Sequence, residues 1–335
     1  MRHIFIINPR AGKRDQTARI YAMADRLRER HGLECVCMLT DRPGSAAELA
    51  RRLAASGEPL RIYACGGDGT ASEVANGMAG FENAAMTCIP AGTGNDLLKN
   101  FGAAMEQFRD AENLWDGDIF PLDLIDCNGR LCLTIACNGI DAQIADSVHR
   151  YSSTPLLSGR GSYLCSVAVN FLLKDLGHLW TVELDGELLE GQFVLVSMCN
   201  GRYYGGGSTP VPEARMDDGV LHTVLIKKVG KPTFARLFPA YSAGEYRTLP
   251  ADLIRVSTSR EVRIRSASDI VTCVDGESFR SREVVMRLAD RTVNFFGPKG
   301  CSPNATARGP ACTQDLQILH NFCQNPPLQN EGSVL

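Results

Sequence analysis

Short apolar runs alternate with amphipathic stretches through the first third of the chain. Runs at 4–8, 35–40, 60–65 and 85–89 are rich in β-branched and apolar residues and predict strands. Between the first two runs, apolar residues recur at helical spacing up to Gly32, which is typical of a helix end. Ser45 followed by Glu48 indicates a capping box and a second helix, and a third helix is predicted to end near Met78. Strands that alternate with helices predict a parallel sheet with helices on both faces.

The pattern changes at about residue 119. Asn128-Gly129 and Asp185-Gly186 lie between apolar runs and indicate tight hairpins, and Asp275-Gly276 follows another strand-like run. Further strands are predicted at 194–199, 220–226, 262–264, 270–274, 284–288 and 293–296, with helices inserted near 141–149 and 163–173. This part is typical of an antiparallel β-sandwich.

The predicted fold class is therefore a three-layer α/β domain followed by an antiparallel β-sandwich domain. We expect the first domain at 1–118 and the second at 119–297, with the last strand either staying there or returning to the first domain. Residues 298–335 are rich in Pro, Asn, Gln and Ser and predict a flexible tail. The total of 335 residues suits about two domains.

Composition narrows the function classes. With 44% hydrophobic and 22% charged residues, the chain is not disordered throughout. The net charge of −3 argues against a dedicated nucleic-acid binder. No apolar run reaches the roughly 18–20 residues that cross a bilayer, so we expect a cytoplasmic protein. The 13 cysteines contain no CxxC pair and are expected to be buried reduced thiols.

Three glycine-rich turns follow predicted strands. Gly66-Gly67-Asp68-Gly69-Thr70 opens a helix, where main-chain N–H groups favour an anion such as phosphate. The segments 8–13 and 90–96 have the same placement, and the turns should converge at one edge of the sheet. An aspartate in a phosphate loop indicates a cation such as Mg²⁺. The plain alternative is a set of tight turns. None of the three is a Walker A motif or a complete GxGxxG.

Six motifs, in this order and spacing, resemble one family. They are NPRAGK at 8–13, GGDGT at 66–70, PAGTGND at 90–96, NGRYYGGG at 200–207, DDG at 217–219 and VDGE at 274–277. The chain resembles the diacylglycerol kinase catalytic-domain family, specifically its soluble bacterial lipid kinases, over roughly residues 1–297. GGDGT alone is shared with NAD kinases and phosphofructokinases, whereas the combination is specific.

The resemblance implies that ATP binds between the two domains. Its implied contacts are Asn8, Pro9, Arg10, Ala11, Gly12, Thr40, Gly66, Gly67, Asp68, Gly69, Thr70, Ala71, Ser72 and Thr93. The glycine turns also suit phosphate on physical grounds, because glycine lets the backbone approach the anion closely. The assignment of Thr40 comes from the resemblance alone.

The resemblance also implies a Mg²⁺ site and a catalytic base. Asp218 would supply a carboxylate and residues Arg215 and Val220 backbone carbonyls, although relatives carry Lys where this chain has Arg215. Glu277 matches the base, and Asp68 and Asp123 would join it in an acidic network that holds Mg²⁺. From local sequence alone, residues 217–219 read as an ordinary turn, Glu277 as a hairpin surface residue and Asp123 as a strand end.

The expected function is an ATP- and Mg²⁺-dependent lipid kinase that phosphorylates a hydroxyl of diacylglycerol or a related lipid and feeds phospholipid metabolism. The alternatives are a NAD kinase-like small-molecule kinase and a non-catalytic nucleotide- or lipid-binding regulator. Transient peripheral membrane contact is expected, with no nucleic-acid partner, and a homodimer stays open. Basic clusters at 227–231, 260–265 and 280–287 are candidates for that contact, although solvated strand faces explain them equally well.

Overall fold

A computed structural model describes residues 1–92, 94–152, 176–205 and 207–303, with backbone alone at 147–152. The first sheet consists of β1 (Arg2–Ile7), β2 (Glu34–Leu39), β3 (Leu60–Gly66), β4 (Ala84–Pro90), β5 (Asp118–Leu122) and β15 (Val293–Gly297). Its strand order is β2-β1-β3-β4-β15-β5. β1 to β4 are parallel to one another, and β15 is parallel to β4 and antiparallel to β5.

The helices of this part follow the strands in sequence. They are α1 (Thr17–His31), α2 (Ser45–Ala54), α3 (Asp68–Met78) and the short α4 (Asp96–Lys99), followed by 3₁₀ helices at Gly102–Arg109 and Ala111–Asn113. The predicted alternation of strand and helix is thus confirmed. The strand order reverses between β1 and β3, and in open α/β sheets the crevice at such a reversal is where ligands bind.

The predicted capping box of α2 is wrong. Gly44 is the N-cap residue, and the main-chain N–H groups of Gly44 and Ala46 donate to the carboxylate of Glu73 on α3, at 2.9 and 3.1 Å. Glu48 instead binds Arg42. A residue from a neighbouring helix thus accepts two of the N–H groups at the start of α2, which no local pattern could indicate.

The second sheet has nine strands. They are β6 (Ile125–Cys127), β7 (Arg130–Cys132), β8 (Ile135–Gly139), β9 (His178–Leu184), β10 (Glu187–Cys199), β11 (Leu221–Lys227), β12 (Ile254–Ser259), β13 (Glu261–Val274) and β14 (Glu277–Leu288). The order is β12-β11-β10-β8-β13-β14-β6-β7, and β9 also pairs with β10 and β13. All its pairings are antiparallel, so the antiparallel character predicted for this part is confirmed.

Two differences from the sequence-based expectation concern this second part. The strands predicted at 262–264 and 270–274 are one strand, β13, whose register with β14 shifts between Arg265 and Ile270. Helix α5 (Ile140–Ser152) confirms the helix predicted near 141–149, whereas the one predicted at 163–173 lies outside the described residues. A further helix, α6 (Lys231–Ser242), was not predicted, and a 3₁₀ helix follows it at Tyr246–Thr248.

The chain passes between the two sheets twice, once after β5 and once before β15. β15 pairs with β5 from Val293 opposite Leu122 to Gly297 opposite Asp118, and Phe295 and Phe296 are fully buried in the core of the first sheet. The expected boundary at 118/119 therefore falls within β5, a strand of the first sheet, and the chain first leaves that sheet at 123–124. Past β15, the Gly300 N–H donates to Asp118, and residues from 304 onward lie outside the described part.

Candidate functional site

The turn after β1 is tied to the start of α3. The Asn8 side-chain amide donates to the hydroxyl of Thr70 at 3.2 Å, and the Asn8 carboxamide oxygen accepts the N–H of Arg10 at 3.0 Å. The Asn8 N–H also donates to the Cys65 carbonyl on β3. The first and second glycine-rich turns therefore lie side by side at the strand-order reversal.

The third turn approaches the other two so closely that glycine is required. A Cβ added to Gly92 would lie 2.7 Å from the Cα of Gly67, and one added to Gly12 would lie 2.1 Å from the carbonyl oxygen of Ala91. Gly12 also has a φ of +77°, in the left-handed region that favours glycine. The structure thus brings the three turns together at one edge of the sheet.

The positions expected to contact ATP differ in burial and in the element that carries them. Thr70, Ala71 and Ser72 are buried inside α3, and the Ala71 N–H donates to the Gly67 carbonyl, so these residues support the loop from behind. Arg10 is exposed, and Pro9 and Ala11 are half-buried beside it. Thr40 follows β2, and its N–H donates to the Ile7 carbonyl. Thr93 lies outside the described residues.

Asp68 links the second and third turns. Its two carboxylate oxygens accept the N–H groups of Asn95 and Asp96, each at 2.7 Å. Burial raises the pKa of Asp68 to about 6, and the neighbouring charge of Asp96 adds to the shift, whereas the two main-chain hydrogen bonds oppose it. The two main-chain donors therefore offset only part of the cost of burying this carboxylate, and they fix the third turn against the second.

Glu277 comes from the second sheet and lies against the second turn. It begins β14, is exposed, and its Oε1 lies 3.8 Å from the position of a Cβ on Gly69, in the first turn of α3. The hairpin before it is held by Asp275, whose carboxylate contacts the segment 132–134. A carboxylate therefore lies at the mouth of the glycine-rich crevice.

Asp123 lies against the turn at 215–220. Its Oδ2 accepts the Gly219 N–H at 2.7 Å, and its own N–H donates to the Met216 carbonyl at 2.7 Å. Asp218 is exposed, and its Oδ1 accepts the Val220 N–H at 3.0 Å. Burial raises the pKa of Asp123, the Gly219 N–H opposes the shift, and the charges of Asp218 and Asp217 add to it.

The donor set of this turn suits Mg²⁺, which prefers oxygen ligands. The resemblance implies as ligands an Asp218 oxygen and the main-chain carbonyls of Arg215 and Val220, and the Asp123 carboxylate lies against the same turn. Within the described ranges, no three His, Cys, Asp or Glu side chains are grouped to hold a metal ion. A cation here would therefore depend on main-chain oxygens and water as well as on carboxylates.

Sequence reasoning missed Asn200, an asparagine that links Asp123 to the segment at 132–134. Asn200 is fully buried, and its side-chain amide donates to the carbonyls of Asp123 and Leu133, at 2.7 and 2.8 Å. Tyr204, in the same NGRYYGGG motif, donates to the Asp141 carboxylate at 2.6 Å. The motif was the available signal, but it did not indicate these partners.

Most arginines of the basic clusters on β13 and β14 are paired with carboxylates. Arg263 and Arg265 bind Glu283, Arg280 binds Asp146, and Arg287 binds Asp126. Lys227 is exposed and has no ion pair within the described part of the chain. No helix in that part is long and apolar enough to cross a membrane.

Comparisons with known proteins agree with this arrangement. Residues 2–127 match the diacylglycerol kinase catalytic domain, and residues 134–296 match the YegS C-terminal NAD kinase beta sandwich-like domain. The chain is 26% identical over 274 residues to a diacylglycerol kinase of Bacillus subtilis, covering 81% of this chain and 88% of that protein. It is 30% identical over 198 residues to a probable YegS-like lipid kinase of Pseudomonas aeruginosa, covering 58% and 63%.

The fold is shared with a solved structure. A putative diacylglycerol kinase from Bacillus anthracis superposes with a TM-score of 0.69 at 21% identity, covering 88% of this chain and 96% of that one. The second domain is accordingly β-sandwich-like, as predicted. The two domain matches together span both sheets, and the chain carries a diacylglycerol kinase catalytic domain followed by a YegS C-terminal NAD kinase beta sandwich-like domain.

Proposed function

We propose that the protein is an ATP- and Mg²⁺-dependent lipid kinase that phosphorylates a hydroxyl of diacylglycerol or a related lipid for phospholipid metabolism. One observation carries the proposal: the Glu277 carboxylate, from the second domain, lies beside Gly69 at the phosphate-binding end of α3. The relatives named diacylglycerol kinase and lipid kinase support the same reaction class.

The crevice offers what phosphoryl transfer needs. Main-chain N–H groups at the start of α3 would hold the ATP phosphates, because a helix N-terminus favours anions. Mg²⁺, held by Asp218 and the carbonyls of Arg215 and Val220, would supply charge neutralisation. The lipid hydroxyl oxygen forms a bond to the γ-phosphorus, the bond to the bridging oxygen of ADP breaks, and the hydroxyl proton passes to the Glu277 carboxylate.

Because the acceptor is a membrane lipid, the enzyme would work at a bilayer surface in peripheral contact. Lys227 is one exposed cation that could face anionic headgroups, each such contact contributing about 1 kcal/mol. The paired arginines on β13 and β14 are less suited, since neighbouring carboxylates already neutralise them.

The test is transfer of labelled γ-phosphate from ATP to a panel of lipids in mixed micelles with Mg²⁺, with NAD as a competing acceptor. Glu277→Gln keeps the side-chain shape but cannot accept the proton, so kcat should fall about 10²–10⁴-fold with the KM for ATP unchanged. Glu190→Gln, an exposed glutamate on β10, is the matched control and should retain full activity. Full turnover by Glu277→Gln, or labelling of NAD in place of lipid, would contradict the proposal.

A further inference from the structure

Asp275 is anchored inward, away from its own turn. Its carboxylate accepts the N–H groups of Leu133 and Thr134 at 2.6 and 2.9 Å, the Thr134 hydroxyl at 2.7 Å and the Cys132 thiol at 3.2 Å. The residue is 9% exposed. Four donors from one segment therefore hold the residue that lies two positions before Glu277.

A second Asp-Gly turn in the same sheet shows that turn geometry alone does not require this anchor. Asp185 occupies the equivalent position of the β9–β10 hairpin, with a φ of 49° against 46° for Asp275. Its exposed carboxylate accepts the N–H groups of Arg260 and Glu261, at 2.9 and 2.8 Å, on the surface of the sheet. Both aspartates accept main-chain N–H groups of a neighbouring segment, but the segment differs: 260–261 at the sheet surface for Asp185, and the buried segment 132–134 for Asp275.

The same segment also holds the Asp123 side of the crevice. The Thr134 carbonyl accepts the N–H groups of Asn200 and Gly201, at 2.8 and 3.0 Å, and the Asn200 amide donates to the Asp123 carbonyl. Thr134 thus contacts Asp275 through its N–H and hydroxyl and Asn200 through its carbonyl. One short stretch places both Glu277 and the turn at 215–220 relative to each other.

We propose that Asp275 is the positioning residue for Glu277: by binding the 132–134 segment, it sets the distance between the Glu277 carboxylate and the phosphate loop at Gly69. The inference rests on the proposed function, in which Glu277 is the base. A side chain that acts through another should affect turnover and leave ATP binding unchanged.

Asp275→Asn is the direct test. The variant keeps the size of the side chain, but its NH₂ group would meet a main-chain N–H where the carboxylate oxygen now accepts one. The β14 start would then shift, and kcat should fall about 10²-fold, which is the usual cost of misplacing a reacting group by about 1 Å. The KM for ATP should stay within twofold of wild type. Asp185→Asn, the matched control, should leave kcat unchanged.

A double-mutant cycle separates positioning from general structural damage. In the Glu277→Gln background, Asp275→Asn should lower kcat no further, because the group it positions is already inactive. Thr134→Val removes one of the four donors at nearly constant volume and gives a smaller loss with the same non-additivity, which covers the case in which Asp275→Asn fails to fold.

Each outcome decides between the two proposals. If Glu277→Gln is inactive while folded Asp275→Asn turns over at the wild-type rate, the positioning role is overturned and the proposed function stands. The positioning role is also overturned if the loss of kcat from Asp275→Asn adds in full to the loss from Glu277→Gln. The same holds for the cycle that uses Thr134→Val in place of Asp275→Asn. If Glu277→Gln itself keeps full turnover, the base assignment fails and the inference fails with it.

Discussion

Gly92→Ala should open the contact between two of the three glycine-rich turns. The added Cβ would lie 2.7 Å from the Cα of Gly67, so the turns must separate by about 0.7 Å to reach the 3.4 Å at which ordinary contact begins. Overpacking of this kind costs about 1–3 kcal/mol. At about 2 cal/mol/K per residue over the roughly 280 described residues, Tm should fall by roughly 2–5 °C. The displaced turn should also weaken ATP binding at least tenfold.

Gly67→Ala is the matched control, because it adds the same atom from the opposite side of the same contact. Its Cβ would lie 3.4 Å from the Cα of Gly92, which is an ordinary separation. Thermal unfolding followed by fluorescence measures the stability of both variants, and titration calorimetry with ATP measures their affinity. We expect Gly67→Ala to keep a Tm close to that of the wild type. A Gly92→Ala variant with the Tm of Gly67→Ala, or with the ATP affinity of the wild type, would refute the reasoning.

Three further predictions concern the metal turn, the buried aspartate and the membrane. Asp218→Ala should raise the Mg²⁺ concentration needed for half-maximal activity, whereas an unchanged Mg²⁺ titration would remove Asp218 from the site. Burial raises the pKa of Asp68 from an ordinary 3.8 to about 6, so the unfolded chain loses this proton at a lower pH than the folded protein does. The unfolding free energy of the wild type should therefore fall relative to that of Asp68→Asn as the pH rises from about 4 to 6. A difference that does not change with pH would contradict this. Activity on anionic vesicles should fall as salt rises, since screening weakens the attraction, and salt-independent activity would exclude electrostatic docking.

Local chemistry in the sequence was sufficient for the hairpins of the second sheet. Asn128, Asp185 and Asp275 all have a positive φ and precede glycines that also do, as tight primed turns require. The continuity of β13 was not predictable in the same way. Residues 266–269 look like a break in the apolar pattern, and yet they lie within one strand. Helix α6 did carry a helical signal in Phe234, Phe238 and Tyr241, but Pro239 within it argued against a helix.

The candidate site shows where sequence reasoning ends. The glycine turns could be placed at one sheet edge, because parallel strands bring their carboxyl ends together. The position of Glu277 could not be predicted from the strand pattern, since it depends on how the two sheets meet. Only the family resemblance indicated it. For Asp68 the sequence did not indicate its hydrogen-bond partners, because the two N–H groups that its carboxylate accepts come from the next glycine turn, at Asn95 and Asp96. Its predicted part in a Mg²⁺-holding network stays a prediction.

The pairing of β5 with β15 has a mechanical consequence. Leu122 lies opposite Val293, and just beyond them the Ala289 N–H donates to the Leu124 carbonyl, so the two connecting segments run side by side as a hydrogen-bonded ribbon. Because both connecting segments are joined by hydrogen bonds, a movement of one sheet relative to the other would have to deform the two segments together. A protease that cuts one segment should leave the two halves attached. A fragment ending at residue 127 would lack Phe295 and Phe296, and the first domain is therefore not a unit that can be excised.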